Sequence, residues 1–429
     1  MKLQKYKLGD IASIEISGID KKTVDSETPV QLCNFVDVYY NWAITKEKAK
    51  SFMVASAKQT EIDKCSISKG MVAITKDSET RDDIGIATYI ADNFENVVLG
   101  YHCALITPNH AIVDGKYLNA FMHTRYIQKY FENNASGSGQ RYTLSNDTIY
   151  NVPILLPSIN EQHSIGEILA NIDRKIELNK QINRNLEAMA RQLYDYWFVQ
   201  FDFPDENGRP YKSNGGAMVW DERLKREIPL DWKECTLSDI ANITMGQSPD
   251  GTSYNEIGEG ILFYQGSTDF GNRFPSVRQY TTAPTRFANQ GDILMSVRAP
   301  VGALNIANNY CCIGRGLSAL SSKIGSQTHL YYVVDGLRMA FEQRNDSGTT
   351  FGSITKEDLH NLPTIKPPKY VLEKFEAICS PIFDIQMNIG VEIVKLTIQR
   401  DELLPLLMNG QVTVRPTEVN CDLAVEMAA

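Results

Sequence analysis

The stretch SGSGQRYTLSNDTIYNVPILLP, residues 136–157, returns in diverged form as SGTTFGSITKEDLHNLPTIKPP, residues 347–368. Each copy runs from a small Gly-rich loop through Leu144 or Ile354 to an acidic residue, Asp147 or Asp358. Asn-x-Pro follows, Asn151 to Pro153 or Asn361 to Pro363, and then an apolar run ending at proline. An internal repeat constrains the architecture on which every other motif must be placed. This one predicts two copies of a single module.

The repeat reaches upstream more faintly. YKLGDIASIEISG near the N-terminus matches CTLSDIANITMGQ from Cys235, and KGMVAITKDSETRDDIG from Lys69 matches QGDILMSVRAPVG from Gln290. GYHCALITP from Gly100 answers GRGLSALSS from Gly314. Alternating apolar residues after Gly predict strands, and the segments YLNAFMHTRYIQKYFENN and HLYYVVDGLRMAFEQRN predict helices near the end of each module. The fold class is α+β.

A long helical pattern follows each Asn-x-Pro. In the first, Ile165, Ile168, Ile172, Lys175, Asn179, Ile182, Leu186, Met189, Leu193 and Tyr196 step by three and four; Phe375, Ile378, Ile382, Ile385, Ile389, Glu392, Leu396, Gln399, Leu403 and Leu406 repeat the steps 210 residues on. Such spacing predicts an a/d seam, with polar interruptions able to specify register. In an antiparallel pair the Lys175/Asn179 end of one helix would lie towards the Glu392/Gln399 end of the other. About 38 residues of helix span roughly 55 Å, more than a small domain needs, which is the length of a spacer. Pro381 and Pro405 predict a kink or an early end in the second helix. The organisation expected is a first module at 1–155, a helix at 156–200, a linker at 201–232 anchored by Val219, Trp220, Ile228 and Trp232, a second module at 233–365, a helix at 366–410 and a tail at 411–429.

Composition bounds the function. Of 429 residues 43% are hydrophobic and 22% charged, as in a soluble globular chain of two or three domains. The N-terminus lacks the long apolar region of a signal peptide and no run of about 18 apolar residues occurs, so a cytoplasmic setting without membrane contact is expected. Eight scattered cysteines without a CxxC pair predict reduced, mostly buried thiols and no metal site. A net charge of −9 argues against nucleic acid only until the placement of the basic residues is considered.

Together these segments resemble the specificity subunit of Type I restriction-modification systems, over essentially residues 1 to 410. SGTTFGSITKEDLHNLP, NEQHSIGEILANIDRKIELNKQIN, FPDENGRPYKSNGGAMVW with REIPLDW, and the SVRAPVG and GRGL segments carry the likeness. The resemblance implies two target-recognition domains, each reading one half of a split double-stranded DNA site. It implies long helices paired as an antiparallel coiled coil, an internal pseudo-twofold repeat, and docking of two modification (methyltransferase) subunits. S-adenosylmethionine belongs to those partners and ATP to a restriction subunit where one joins; this chain binds no cofactor. Half-sites a little over one turn apart, about 34–36 Å, suit a spacer of this scale, and diverged modules predict an asymmetric target.

No catalytic constellation occurs. KPPKY at Lys366 lacks the Asn or Asp of an amino-methylation motif, SGTTFGS lacks the Lys of a phosphate-binding loop, and DSETRDD at Asp77 reads as a solvated loop. A self-contained methyltransferase or nuclease fusion is the weaker alternative; a coiled-coil scaffold without DNA is another. Because Arg reads guanine and Gln or Asn reads adenine, the candidate DNA-contacting residues are Lys76, Arg81, Gln140, Arg141 and Tyr142 in the first module. In the second they are Gln247, Tyr254, Gln265, Arg273, Arg278, Arg286 and Arg298. Arg315 reads as structural, and DVYYNWA around Tyr39 as a half-buried strand that could also stack on bases. The aromatic patch Tyr194, Tyr196, Trp197 and Phe198 is the candidate partner-docking site, along with SGTTFGS as a loop contacting partner or DNA backbone.

Overall fold

The computed structural model describes residues 2–137, 140–271, 273–346 and 353–414, with the backbone alone for 338–346. The Gly-rich loop 347–352 and the tail beyond 414 lie outside the described residues. The chain forms two compact units: one contains the residues up to Leu178 and those from Ile393 on, the other Asn179–Glu392.

In the first unit the apolar end of the quoted stretch, Pro153–Leu156, pairs antiparallel with the N-terminal strand Gln4–Lys7. One helical turn, Leu8–Ile11, then leads into strand Ala12–Ile16, the edge of a five-stranded sheet. Next in that sheet come Cys103–Pro108 and Val72–Thr75, both antiparallel. Side chains alternate across a strand. Val72, Ile74, Ala104 and Ile106 therefore enter one buried cluster with helices Gly115–Met122 and Arg125–Asn134, while Ala73, Cys103 and Leu105 enter another. Leu404, Leu407 and Met408 of the second long helix complete the first cluster.

The second unit repeats this frame. Pro363–Lys366 pairs with Lys233–Thr236, a turn at Leu237–Ile240 follows, and Ala241–Met245, Leu317–Ser322 and Ile293–Ser296 adjoin in that order. The upstream motif matches in the sequence thus fall on equivalent strands. Between Asn-x-Pro and its loop, each quoted stretch forms a short helix, Asn146–Tyr150 or Lys356–His360. Ser145 caps the first through Thr148 N–H at 3.0 Å, and Thr355 with Asp358 forms a reciprocal capping box on the second.

The long helices span Ile159–Tyr194, continued by a π-helical turn Asp195–Val199, and Lys369–Met408. The second does not end at Pro381 or Pro405. Both prolines are exposed, as are Ala377 and Asp401 four residues before them, so the carbonyls that lose a partner face water. Its most apolar 18-residue window has a mean hydropathy of 1.3, apolar enough to cross a membrane by composition, yet Val371, Leu372, Phe375 and Cys379 are buried in the second unit.

One column of the predicted seam is buried or half-buried, Ile165, Ile172, Asn179, Leu186 and Leu193 in one helix and Phe375, Ile382, Ile389, Leu396 and Leu403 in the other. The other column lies one residue off: Leu169, Ile176, Asn183, Ala190 and Trp197, and Cys379, Gln386, Ile393, Arg400 and Leu407, are buried or half-buried in its place. Ile182, Met189 and Tyr196 are 44%, 58% and 37% exposed, and Ile378 and Ile385 47% and 48%. One residue is a rotation of about 100°. The buried stripe is wider than a/d and takes in polar groups: Asn179 and Glu392, which the predicted seam sets towards each other, and Asn183 and Gln386, which it does not contain. Asn179 donates to Glu392 at 2.9 Å, Asn183 Nδ2 to the Gln386 carbonyl at 3.4 Å, and Gln386 Nε2 to the Asn183 carbonyl at 3.3 Å. In this unit the paired residues run in opposite chain directions. Gly390 lets the Phe274 ring approach, since a Cβ there would stand 2.2 Å from it.

The segment after the first helix is no free tether. Trp232 and Ile228 are buried with Trp197, Phe198, Phe201, Phe203 and Phe375, whereas Trp220 and Val219 of hairpin Met218–Asp221/Arg226–Pro229 are exposed and anchor nothing. Six of the seven described cysteines are buried and Cys235 is half-buried, all as free thiols.

Candidate nucleic-acid interface

In the first unit the predicted residues converge. Strand Asp77–Ser78 pairs with Tyr142–Thr143, which pairs with Ser136–Gly137. Lys76 is tied in by its N–H to the His102 carbonyl at 2.7 Å and by its carbonyl to Leu144 N–H at 2.9 Å. The Arg81 guanidinium lies over the Tyr142 ring, 5.1 Å from its centre, and Gln140 and Arg141 are exposed on the adjoining loop.

Of these, Arg141 lines a cleft of about 580 Å³, with Phe35, Tyr39, Tyr40, Tyr101 and His102 among its other walls. Only the first three residues of DVYYNWA are helical, as the end of helix Phe35–Tyr39 capped by Asn34; its last, Ala43, begins strand Ala43–Ile44, and Tyr40 between them is 76% exposed. Tyr39 donates to Asp83 at 2.5 Å; that bond, together with burial, pushes the phenol up to about 12. Burial works against ionisation of Asp77, but hydrogen bonds from Thr143 and His102 and the charges of His102 and Lys76 outweigh it, so its carboxyl stays below the usual range. His102 and Asp77 are in direct contact, and Arg141 Nη2 lies 2.9 Å from His102 Nε2. Sequence reading missed Asp77 and His102 as partners because 25 residues separate them; the pattern marks only an acidic loop and a strand start.

In the second unit the loops gather around the turn Ile313–Gly316. Gln247 N–H donates to the Ile313 carbonyl at 3.0 Å, Ile313 N–H to the Arg286 carbonyl at 2.9 Å, and Gly316 N–H to the Gln265 carbonyl at 3.2 Å. Val297 N–H reaches the Gly316 carbonyl at 2.9 Å, which brings Arg298 to the same end. Gln247, Gln265, Arg286 and Arg298 are exposed there. So is Arg315, flanked by buried Gly314 and Gly316. The strand before it is buried, but the turn carries the side chain outward, so Arg315 joins this face instead of the core.

Three expectations are corrected. Arg273 faces the long helices: its side chain is 10% exposed, pairs with Glu187 at 3.2 Å and lies 4.5 Å from the centre of the Phe383 ring. Tyr254 is half-buried, stacked on Phe263 with its hydroxyl donating to the Pro249 carbonyl at 3.0 Å. Tyr194, Trp197 and Phe198 form the aromatic core with Tyr332, Phe375 and Trp232, because rings bury large apolar area best against one another. Tyr196 alone of that quartet is an exposed residue. Arg278 is exposed beside Asp269 at 3.7 Å.

The model of the Type I restriction modification DNA specificity domain matches residues 2–188 and 229–381. Among similar curated proteins, the Type I restriction enzyme MjaIX specificity subunit of Methanocaldococcus jannaschii is 27% identical over 327 residues, 72% of this chain and 71% of that one. The Type I restriction enzyme HindI specificity subunit of Haemophilus influenzae is 22% identical over 394 residues, covering 78% and 85%. Among solved structures, the S subunit of a Type-I restriction-modification system from M. genitalium shares the fold, with a TM-score of 0.57 and 16% identity over 95% of this chain and 96% of the other.

Proposed function

Because this chain belongs to the family of Type I restriction-modification DNA specificity domains, we propose that each of its two units reads one half of a split double-stranded DNA site. DNA-sequence specificity is the role of the family, and the chain fills it as a non-catalytic recognition subunit. The observation that carries the bipartite reading is the duplicated sheet frame, which in each unit delivers Arg and Gln side chains to one loop end. Arg141, Arg81 and Gln140 stand in the first face, and Gln247, Gln265, Arg286, Arg298 and Arg315 in the second. Since the frames agree and the presented side chains differ, the target is asymmetric.

The long helices act as an antiparallel coiled coil that sets the number of unread base pairs, in a pseudo-twofold arrangement. Contacts between Asn179 and Glu392 and between Asn183 and Gln386 support a fixed register. Two methyltransferase subunits dock on the exposed apolar columns, Ile182, Met189 and Tyr196 on one helix and Ile378 and Ile385 on the other. Those partners hold S-adenosylmethionine, a restriction subunit uses ATP, this chain binds neither, and the complex works in the cytoplasm.

The test is to incubate the chain with its modification subunits, methyl donor and genomic DNA, and to map the methylated positions. The expected result is one bipartite, asymmetric motif that appears only when this chain is present. Methylation by this chain alone, or a continuous motif, would overturn the reading.

A further inference from the structure

The first-unit cleft has a composition that selects what can enter it. Asp20, Asp77, Glu79 and Asp83 line it with only Lys21 and Arg141 as full cations, so it repels phosphates, while carboxylates and aromatic faces accept base edges. A second hollow of about 440 Å³ shares Asp77, Tyr101, His102 and Arg141 with it and adds Lys76 to its lining. The shared residues form the centre of this surface.

His102 is held there against its backbone preference. It has φ 72°, a left-handed conformation that a residue with a side chain rarely adopts, and its ring centre lies 3.7 Å from that of Tyr101. Asp77 lies against Nδ1, and Arg141 Nη2 stands 2.9 Å from Nε2 and 3.4 Å from Nδ1, which places it over the face of the ring. A guanidinium has five N–H groups. The ring beneath it holds its plane on an exposed side chain and leaves those groups to donate.

On the reading that this unit contacts a DNA half-site, we propose that Arg141 reads one guanine of that half-site through its O6 and N7, and that His102, oriented by Asp77, is the positioning residue that aims it. Lys76, at the edge of the same surface, serves the phosphate backbone and carries no sequence preference.

The experiment uses the whole chain assembled with its modification subunits, and a duplex library randomised at the first half-site and constant at the second. Arg141→Ala should lower discrimination at one guanine position by about 10- to 100-fold, and His102→Ala should relax the same position. The double variant should be no worse than Arg141→Ala, since the two act as a unit. His102→Phe, which keeps a flat ring beneath the guanidinium, should restore most of the discrimination. Lys76→Ala should weaken all sequences alike. Discrimination at the constant half-site and thermal unfolding of the full chain report whether a variant is simply misfolded.

An unchanged motif in Arg141→Ala, uniform weakening across all sequences, or relaxation of different positions by Arg141→Ala and His102→Ala would each overturn the proposal while leaving the half-site reading intact. If the unsubstituted chain itself yields no bipartite motif, that reading fails and this proposal fails with it.

Discussion

Replacing Arg273 by alanine should destabilise the second unit by about 1–2 kcal/mol and leave both half-site sequences as they are. Truncating one member of a fully buried ion pair costs about 3–5 kcal/mol. Glu187 is 27% exposed and also accepts from Gln386 Nε2 at 3.2 Å, so stranding it costs less, about 1–2 kcal/mol. Loss of the guanidinium over Phe383 and Tyr331 adds about 1 kcal/mol. Against that, Arg273 Nε and Nη2 are buried without a protein partner, and removing them returns about 1 kcal/mol. Urea unfolding of the full chain followed by tryptophan fluorescence suits the measurement, because Trp197, Trp220 and Trp232 belong to this unit and only Trp42 to the other. With a slope of about 2 kcal/mol per molar, the midpoint should fall by up to about 1 M. Mapping of methylated sites in the assembled complex provides the second readout. An altered base preference with an unmoved midpoint would show that Arg273 reads DNA and that the inward placement is wrong.

Further outcomes follow from the same geometry. Arg315→Ala should relax the second half-site by about 10-fold or more at one position and leave the first alone; site mapping checks it, and a change in the first half-site would contradict the assignment. Met189→Glu, on an exposed position, should leave the unfolding midpoint of the isolated chain within about 0.5 kcal/mol and impair assembly with modification subunits on size-exclusion chromatography. The pair Asn183→Leu with Gln386→Leu should raise stability by about 1–3 kcal/mol, since buried polar groups are replaced together, and should broaden the spacer lengths accepted in the mapped motif; an unchanged spacer would count against the register role. His329 is buried and its pKa is pushed down to about 3 by desolvation. Between its ordinary value near 6.5 and that value the unfolded chain binds a proton the folded chain does not, so lowering pH costs stability, about 2 kcal/mol by pH 5. His329→Phe should remove that part of the acid sensitivity, measured as the difference between urea midpoints at pH 7 and pH 5.

Much of the frame was legible because it rests on local patterns. The Gly-strand-loop segments at Lys69 and Gln290 are neighbours of the segments at Gly100 and Gly314 in both sheets, and the quoted stretch is a cap, a short helix and a strand in both units. In the first-unit face, Lys76, Arg81 and Arg141 meet because they lie on or beside strands that pair. The second list was less legible: Arg273, expected outward, is turned inward, and Arg315, expected in the core, is exposed. An arginine in a polar loop and an arginine after a buried strand look alike to any rule of composition. Which one points inward depends on whether a carboxylate and a ring from elsewhere in the chain await it, as Glu187 and Phe383 await Arg273.

The helices draw the line between the two kinds of information most clearly. Sequence alone determined that both are long, that both carry apolar residues at spacings of three and four, and that their registers agree at an offset of 210 residues. It could not decide which of two adjacent columns completes the buried face, because the one through Ile182 and Met189 is as apolar as the one through Ile176, Asn183 and Ala190. Tertiary structure chose the column that contains Asn183 and, in the other helix, Gln386. Burying an amide costs less where it is paired: the side-chain nitrogens of Asn183 and Gln386 bond to each other's backbone carbonyls across 203 residues of chain, their side-chain oxygens are buried without a partner among the described residues, and Asn179 meets Glu392 one turn away. The same holds at His102: Asp77, Arg141 and a left-handed turn become one arrangement only when three separated segments pack side by side.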